Sequence, residues 1–178
     1  MRIKPLTSLI IEPTNTCNLR CTFCFVTEGM TRDEGFMDLK LFKKVIDDTP
    51  DLEHLCMHNW GEPLLHKEIF EMFDYAHQAG VKHIVMNTNG TLLTDKMINK
   101  IIESPLNIIR FSIDGSADTF KRIRGVELEK IKENILRLKK AKEKKRPKLS
   151  MGVVFTVEED TQDDVDEYIK HWETIVDH

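Results

Sequence analysis

The chain has 178 residues, 40% of them hydrophobic and 31% charged, which suits one soluble domain with one sizeable core. Its 26 Lys and Arg against 30 Asp and Glu leave a net charge of −4, so bulk charge offers no basic footprint for nucleic acid. No apolar run is long enough to span a bilayer, and Met1 to Pro5 lacks the apolar stretch of a secretory signal, so a cytoplasmic protein without a membrane partner is expected.

Strand-like apolar runs alternate with amphipathic, helix-like runs. The first strand candidate, Leu6 to Glu12, leads through the polar turn Pro13-Thr14-Asn15-Thr16 into a cysteine-rich segment. Asp38 is a good N-cap for a helix from about Leu39 to Asp47, where Leu39, Phe42, Val45 and Ile46 keep helical spacing. A second strand near Leu52 to His58 ends in Gly61-Glu62-Pro63, and a helix from about Lys67 to Ala79 follows, with Gly80 as its natural C′ residue. The third strand is expected over Val81 to Met86, ending in Asn87-Thr88-Asn89-Gly90; Thr94 then caps a helix that stops at Pro105. The fourth, Leu106 to Ile113, ends in Asp114-Gly115. A short helix near Ala117 to Ile123 and a long one from about Leu128 to Lys145 follow, and the charges from Lys139 to Lys148 read as a solvated helix end. Leu149 to Val157 is the fifth strand candidate, and a last helix begins near Thr161.

Five strands separated by helices argue for an α/β fold with a parallel sheet built of βα units. Ligands of such folds collect beyond the carboxyl ends of the strands. Four of the five strands here end in polar or glycine-containing turns, which places a site on that rim.

Three of the four cysteines, Cys17, Cys21 and Cys24, fall within eight residues, and in a reducing compartment such a group reads as a metal site before it reads as disulfides. Three thiolates on a short loop can ligate three irons of a cuboidal cluster and leave the fourth open to a small molecule. A structural zinc site is the competing reading; it needs a fourth ligand, for which His54, Cys56 or His58 would have to serve. Cys56, alone in an apolar run, is expected to be a small buried hydrophobe.

The spacing of the three cysteines, with Phe23 just before the last, resembles the signature of the radical S-adenosylmethionine superfamily. Glu12-Pro13-Thr14-Asn15, Gly61-Glu62-Pro63-Leu64-Leu65, Asn87-Thr88-Asn89-Gly90, and Phe111-Ser112-Ile113-Asp114-Gly115 with Ile123-Arg124-Gly125 extend the resemblance, in order, at strand ends from Ile3 to His178. The last pattern is similar to that of the peptide-modifying branch, which includes the sulfatase-maturating enzymes and members with a C-terminal SPASM domain.

The resemblance implies an open, partial (β/α)6-type barrel like part of a TIM barrel, with residues 1–178 as its core domain, truncated after five βα units near where a sixth strand would start at Ile175 to His178. It implies a 4Fe–4S cluster on Cys17, Cys21 and Cys24 and S-adenosylmethionine as cofactor, cleaved reductively to a 5′-deoxyadenosyl radical that abstracts hydrogen from a substrate. A peptide or protein substrate and a one-electron donor of flavodoxin or ferredoxin type are the implied partners. By the same resemblance Phe23 approaches the adenine, Gly61 and Glu62 meet the methionine ammonium, and Ser112 and Arg124 bind its carboxylate. Asn89 and Asp114 bond the ribose hydroxyls or fix their own turns. Val153 and Val154 either abut the adenine or belong to the core. Many relatives carry a second glycine where this chain has Trp60, which lines the substrate cavity or covers the barrel; Asn59 faces the cofactor. Of the histidines His58, His66 and His77, His58 is nearest the expected rim. A non-catalytic cluster-binding fragment stays open beside the enzyme and zinc readings.

Overall fold

The structure is a computed structural model and describes residues 5–159 and 161–178. The signal-peptide reading at Met1 to Lys4 and the Ile3 start of the resemblance lie outside the described residues.

Strands β1 (Ser8–Ile10), β2 (His54–Cys56), β3 (His83–Thr88), β4 (Ile108–Ser112) and β5 (Ser150–Val154) form one sheet in chain order. Every neighbouring pair is parallel, and β1 and β5 are its two edges, so the sheet is an open partial barrel. Each crossover carries helix: α1 (Phe25–Glu28) and α2 (Leu39–Asp47) follow β1, α3 (Ile69–Gln78) follows β2, and α4 (Asp95–Glu103) follows β3. Helices α5 (Ala117–Arg124) and α6 (Leu128–Lys145) follow β4, and α7 (Val165–Trp172) follows β5 after a 3-10 turn.

The helix starts obey local capping. The Asp38 carboxylate accepts from the Lys40 and Leu41 amides at 2.8 and 3.1 Å, and Thr94 Oγ1 accepts from the Met97 amide at 3.2 Å. Strand bounds depart further from expectation. The ladders occupy only the middle of most apolar runs, and β3 starts two residues late and runs on through Asn87 and Thr88. Those two residues pair with Arg110 and Phe111 of β4, and ladder bonding outweighs the poor strand preference of asparagine. The one-turn helix α1, immediately after Cys24, has no periodic signal and was not expected.

Alternation along each strand gives the sheet two unlike faces. Leu55, Ile84, Met86, Ile109 and Phe111 are fully buried in one core with Phe42, Phe73, Ile101 and Ile135 of the helices. At roughly 1.5–3 kcal/mol per buried large side chain, this layer holds the sheet to its helices. The other, inner face carries residues in register: Ile10, Cys56, Val85, Ile108 and Ser150, then Asn87, Arg110 and Gly152, then Ser112 and Val154. Cys56 is therefore half-buried on the inner face, not a core residue, because alternation gives the core to its neighbours Leu55 and Met57.

The basic end of α6 also differs from a plain solvated face. Lys142 is buried and ion-paired with Asp177, and Arg146 reaches the carbonyls of Ile101, Ile102 and Ser104 at the end of α4. Helix C-termini leave carbonyls without partners, and a guanidinium satisfies several at once. Near β5, the Asp177 amide donates to Met151 O at 2.7 Å and the Val153 amide donates to His178 O at 3.1 Å, so residues 177 and 178 bond the edge of the sheet.

Candidate functional site

The loop after β1 carries the three cysteines. It is anchored upstream: the Thr14 hydroxyl donates to Gly35 O at 2.7 Å, and the Asn15 side chain bonds both Asp33 O and the Gly35 amide. It then docks on α5, where Leu19 and Cys21 pack with Ile123 and the Thr22 amide donates to Ile123 O at 3.0 Å. Cys24 O starts α1 by accepting from the Thr27 and Glu28 amides. All four cysteines are free thiols, and Cys17, Cys21 and Cys24 line a single pocket at the carboxyl ends of the strands.

The loop after β2 forms the facing shelf. Gly61 lies where this loop crosses the one from β1; a Cβ there would stand 2.0 Å from Thr14 O, so no other residue fits. Glu62 is 1% exposed. Its carboxylate accepts from the Leu64 amide at 3.1 Å, the Thr88 hydroxyl at 2.8 Å and the Asn89 amide at 2.8 Å. Burial pushes this carboxyl above its ordinary range, against those three bonds, which favour the ionised form.

The third and fourth strands supply the rest of the wall. Asn89 fixes its own turn. Its Oδ1 accepts from the Thr91 amide and hydroxyl, closing the turn at Gly90, while its amide donates to Asn18 Oδ1 at 2.9 Å and points to Cys17 Sγ at 3.8 Å. Ser112 lines the pocket from the end of β4, and Arg124 enters it from the last turn of α5. Arg124 is buried, with Nη1 3.7 Å from Cys21 Sγ and its guanidinium near the rings of Phe23 and Phe120. Asp114 is fully buried and does not line the pocket. One of its oxygens takes Arg124 Nε and Nη2 at 2.6 Å each, and the other accepts from the Thr156 amide at 3.0 Å.

Burial raises the thiol pKa of Cys17, opposed by the Leu19 amide, and that of Cys21, opposed by Arg124. Cys17 also feels Cys24, and Cys21 feels both Cys17 and Cys24, so deprotonating one makes the next harder. Such a set holds its protons until a cation replaces them. Among the described residues no three Cys, His, Asp or Glu side chains converge on one point as a single ion requires. Three thiols around one pocket fit the separate corners of a cuboidal cluster, and the adjoining Arg124 and Glu62 fit a zwitterion beside it.

Of the remaining expectations, Phe23, Asn59, Trp60, His58 and Val154 line the pocket, while Val153 packs on the core. Trp60 is 38% exposed and meets Phe25 edge-on at 4.7 Å. His66 is buried away from the pocket, bonded to Met37 O and the Glu68 amide, and His77 is exposed near the end of α3. Asn87, Thr88 and Thr156 line the pocket without having been singled out. Continuing the strand alternation through Asn87 to Asn89 is the signal that finds Asn87.

The model of the radical SAM superfamily matches residues 11–171. The chain belongs to the radical SAM superfamily. The cofactors of radical SAM proteins are a 4Fe–4S cluster and S-adenosylmethionine. Among curated radical SAM relatives, the tungsten-containing aldehyde ferredoxin oxidoreductase cofactor-modifying protein of Pyrococcus furiosus is 33% identical over 159 residues, 84% of this chain and 44% of that one. Mycofactocin maturase MftC of Mycobacterium tuberculosis is 30% identical over 118 residues, 64% of this chain and 29% of that one. The chain thus spans less than half the length of either relative. Among solved structures, anSMEcpe with bound AdoMet and a Cp18Cys peptide shares the fold at a TM-score of 0.75 and 23% identity, over 95% of this chain and 49% of that one.

Proposed function

We propose that this chain is the core of a radical SAM enzyme that holds a 4Fe–4S cluster on Cys17, Cys21 and Cys24, with S-adenosylmethionine in the same pocket. The observation that carries the reading is the meeting of three free thiols with a buried acid and a buried guanidinium around one rim pocket. When bound, these groups supply reductive cleavage of a sulfonium and a 5′-deoxyadenosyl radical able to abstract hydrogen from substrate.

The chain's own residues bind and orient. Arg124, with Ser112, takes the carboxylate of the methionine moiety, and the Asp114 carboxylate fixes the guanidinium from behind. Gly61 and Glu62 offer backbone oxygens to its ammonium; the Glu62 side chain, spent on three bonds, adds negative potential beneath. Phe23 and Val154 flank the adenine, and Asn89 reaches the ribose. Trp60, on the pocket wall, packs edge-on against Phe25. A peptide or protein is the proposed substrate class, supported by the Ser112–Arg124 pattern, by MftC as a maturase and by the peptide-bound anSMEcpe structure. A flavodoxin or ferredoxin is the proposed electron donor.

Anaerobic reconstitution with iron and sulfide, then reduction with S-adenosylmethionine present, tests this. The expected result is a cluster spectrum that changes on adding the cofactor, with 5′-deoxyadenosine formed and both lost in Cys21→Ala. Stoichiometric zinc without that product would instead establish a structural metal module, and a cluster indifferent to the cofactor a non-catalytic fragment.

A further inference from the structure

The inner face of the sheet carries a polar layer that the cofactor contacts do not use. Asn87 and Arg110 are register partners on β3 and β4, with Gly152 beside them on β5. His58 continues the alternation of β2, two residues beyond Cys56, as Asn87 stands two beyond Val85. This layer lies one alternation before Asn89, Ser112 and Val154, about 6–7 Å along the strands. Gly152 leaves the neighbouring wall without a side chain of its own; the His178 ring occupies that space.

Two polar atoms of this layer lack partners among the described residues. His58 Nδ1 and Asn87 Oδ1 are buried without a hydrogen bond, although both residues line the rim pocket. A buried polar group without a partner is costly, so two in one cavity wall mark a place where a ligand supplies the missing bonds. Arg110 donates Nε–H to His178 Nε2 at 3.4 Å, and among the described residues no carboxylate is within ion-pair distance of it. Burial first, and then the Arg110 charge, hold the His58 imidazole below its ordinary range, so it is neutral near pH 7. The layer thus offers a cation, an acceptor amide oxygen and a neutral imidazole.

We propose that His58, Asn87 and Arg110 form a substrate subsite for a carboxylate that has a hydrogen-bond donor one carbon away, Arg110 taking the carboxylate and Asn87 Oδ1 the donor. The proposal rests on the function above for placing the cofactor in the next layer. The carboxyl-terminal residue of a peptide, with its amide N–H, and a free α-hydroxy acid share this chemistry.

The test follows the His58 imidazole resonance in isotope-labelled, cluster-loaded protein, with N-acetylglycine, its neutral counterpart N-acetylglycinamide, and lactate as probes. The expected result is a saturable shift with the acid, and binding about tenfold or more weaker for the amide, the loss of one charged contact. Tighter binding of N-acetylglycine than lactate assigns the peptide terminus, and the reverse a free hydroxy acid. Arg110→Gln abolishes the preference for acid over amide, whereas Asn87→Ala weakens both probes alike. Equal binding of acid and amide by the unaltered protein, or no saturable shift, overturns the proposal whether or not the variants fold. Failure to assemble a cluster would instead sink the proposed function, a result visible in the absorption spectrum before any probe is added.

Discussion

The Glu62 shelf and the cysteine loop face each other across one pocket, yet only the shelf is tied down on every side. Glu62 is gripped by donors from its own loop and from β3, Gly61 is pressed under Thr14 O, and Asn89 is bonded to both Asn18 and Thr91. Cys17 and Cys24 are only half-buried, and the loop between them is held by a small apolar contact with Ile123, the Thr22 amide bond to Ile123 O and the Asn18 contact with Asn89. The difference teaches where the chain invests its rigidity. A flexible organic ligand needs fixed partners, because ordering them on binding would cost affinity. Thiols that grip an inorganic cluster receive their final geometry from it.

Replacing Glu62 by alanine is the strongest way to break this contrast. Three donors, two of them backbone amides, would be left in the interior, at roughly 1–3 kcal/mol for each that water cannot reach. Urea unfolding of the chain without cluster is expected to show a loss on the order of 3 kcal/mol or more. A loss below about 1 kcal/mol would mean that the shelf is no more a framework than the loop. Gly61→Ala comes next. Its Cβ would collide with a backbone carbonyl, not with the end of a flexible side chain, so two loops must part. Overpacking of this kind costs about 1–3 kcal/mol, read from the same denaturation midpoint. Cys21→Ala, on the loop, should fall within about 1 kcal/mol of the parent, since a small thiol is lost from a minor cluster. A larger loss would show that the loop, too, is part of the framework.

Some of this was open to a reader of the residues and some was not. Helices α2 and α6 have the bounds their spacing predicts, because caps and periodicity are local. The meeting of Cys17, Cys21 and Cys24 with Glu62, Ser112 and Arg124 was also visible, since parallel βα units bring every strand's carboxyl end to one rim. The limits of β3 were hidden because ladder partners come from elsewhere in the chain. Asp114 looked like a ligand-facing turn residue, but its charge is claimed by Arg124, ten residues away at the far end of α5. Pairing of that kind depends on which side chains burial brings together. Lys142 and Arg146 are hidden for the same reason: only the packing of α6 beside α4 and Asp177 shows what they neutralise.

The weakest tether on the rim carries the smallest expected effect and a pH signature. Asp164, just before α7, accepts from the Ser116 amide at 3.0 Å and so ties the loop after β4 to the segment after β5. That bond comes first, and the Thr119 hydroxyl second, in holding the Asp164 carboxyl below its ordinary 3.8. A carboxylate whose folded pKa is depressed stabilises the fold above its unfolded pKa and loses that contribution as pH falls through the folded value. Stability from this contact should therefore be complete above about pH 4 and fade below it, and Asp164→Asn should remove that component. The carboxylate is mostly solvated, so screening keeps the effect under about 1 kcal/mol, far below that of the enclosed Glu62. Thermal melts of parent and variant at mildly acidic and strongly acidic pH would show it as a gap that narrows with acid. A gap that widens with acid would mean the carboxyl is destabilised by ionising, as Glu62 is, and that burial extends further around the rim than the shelf.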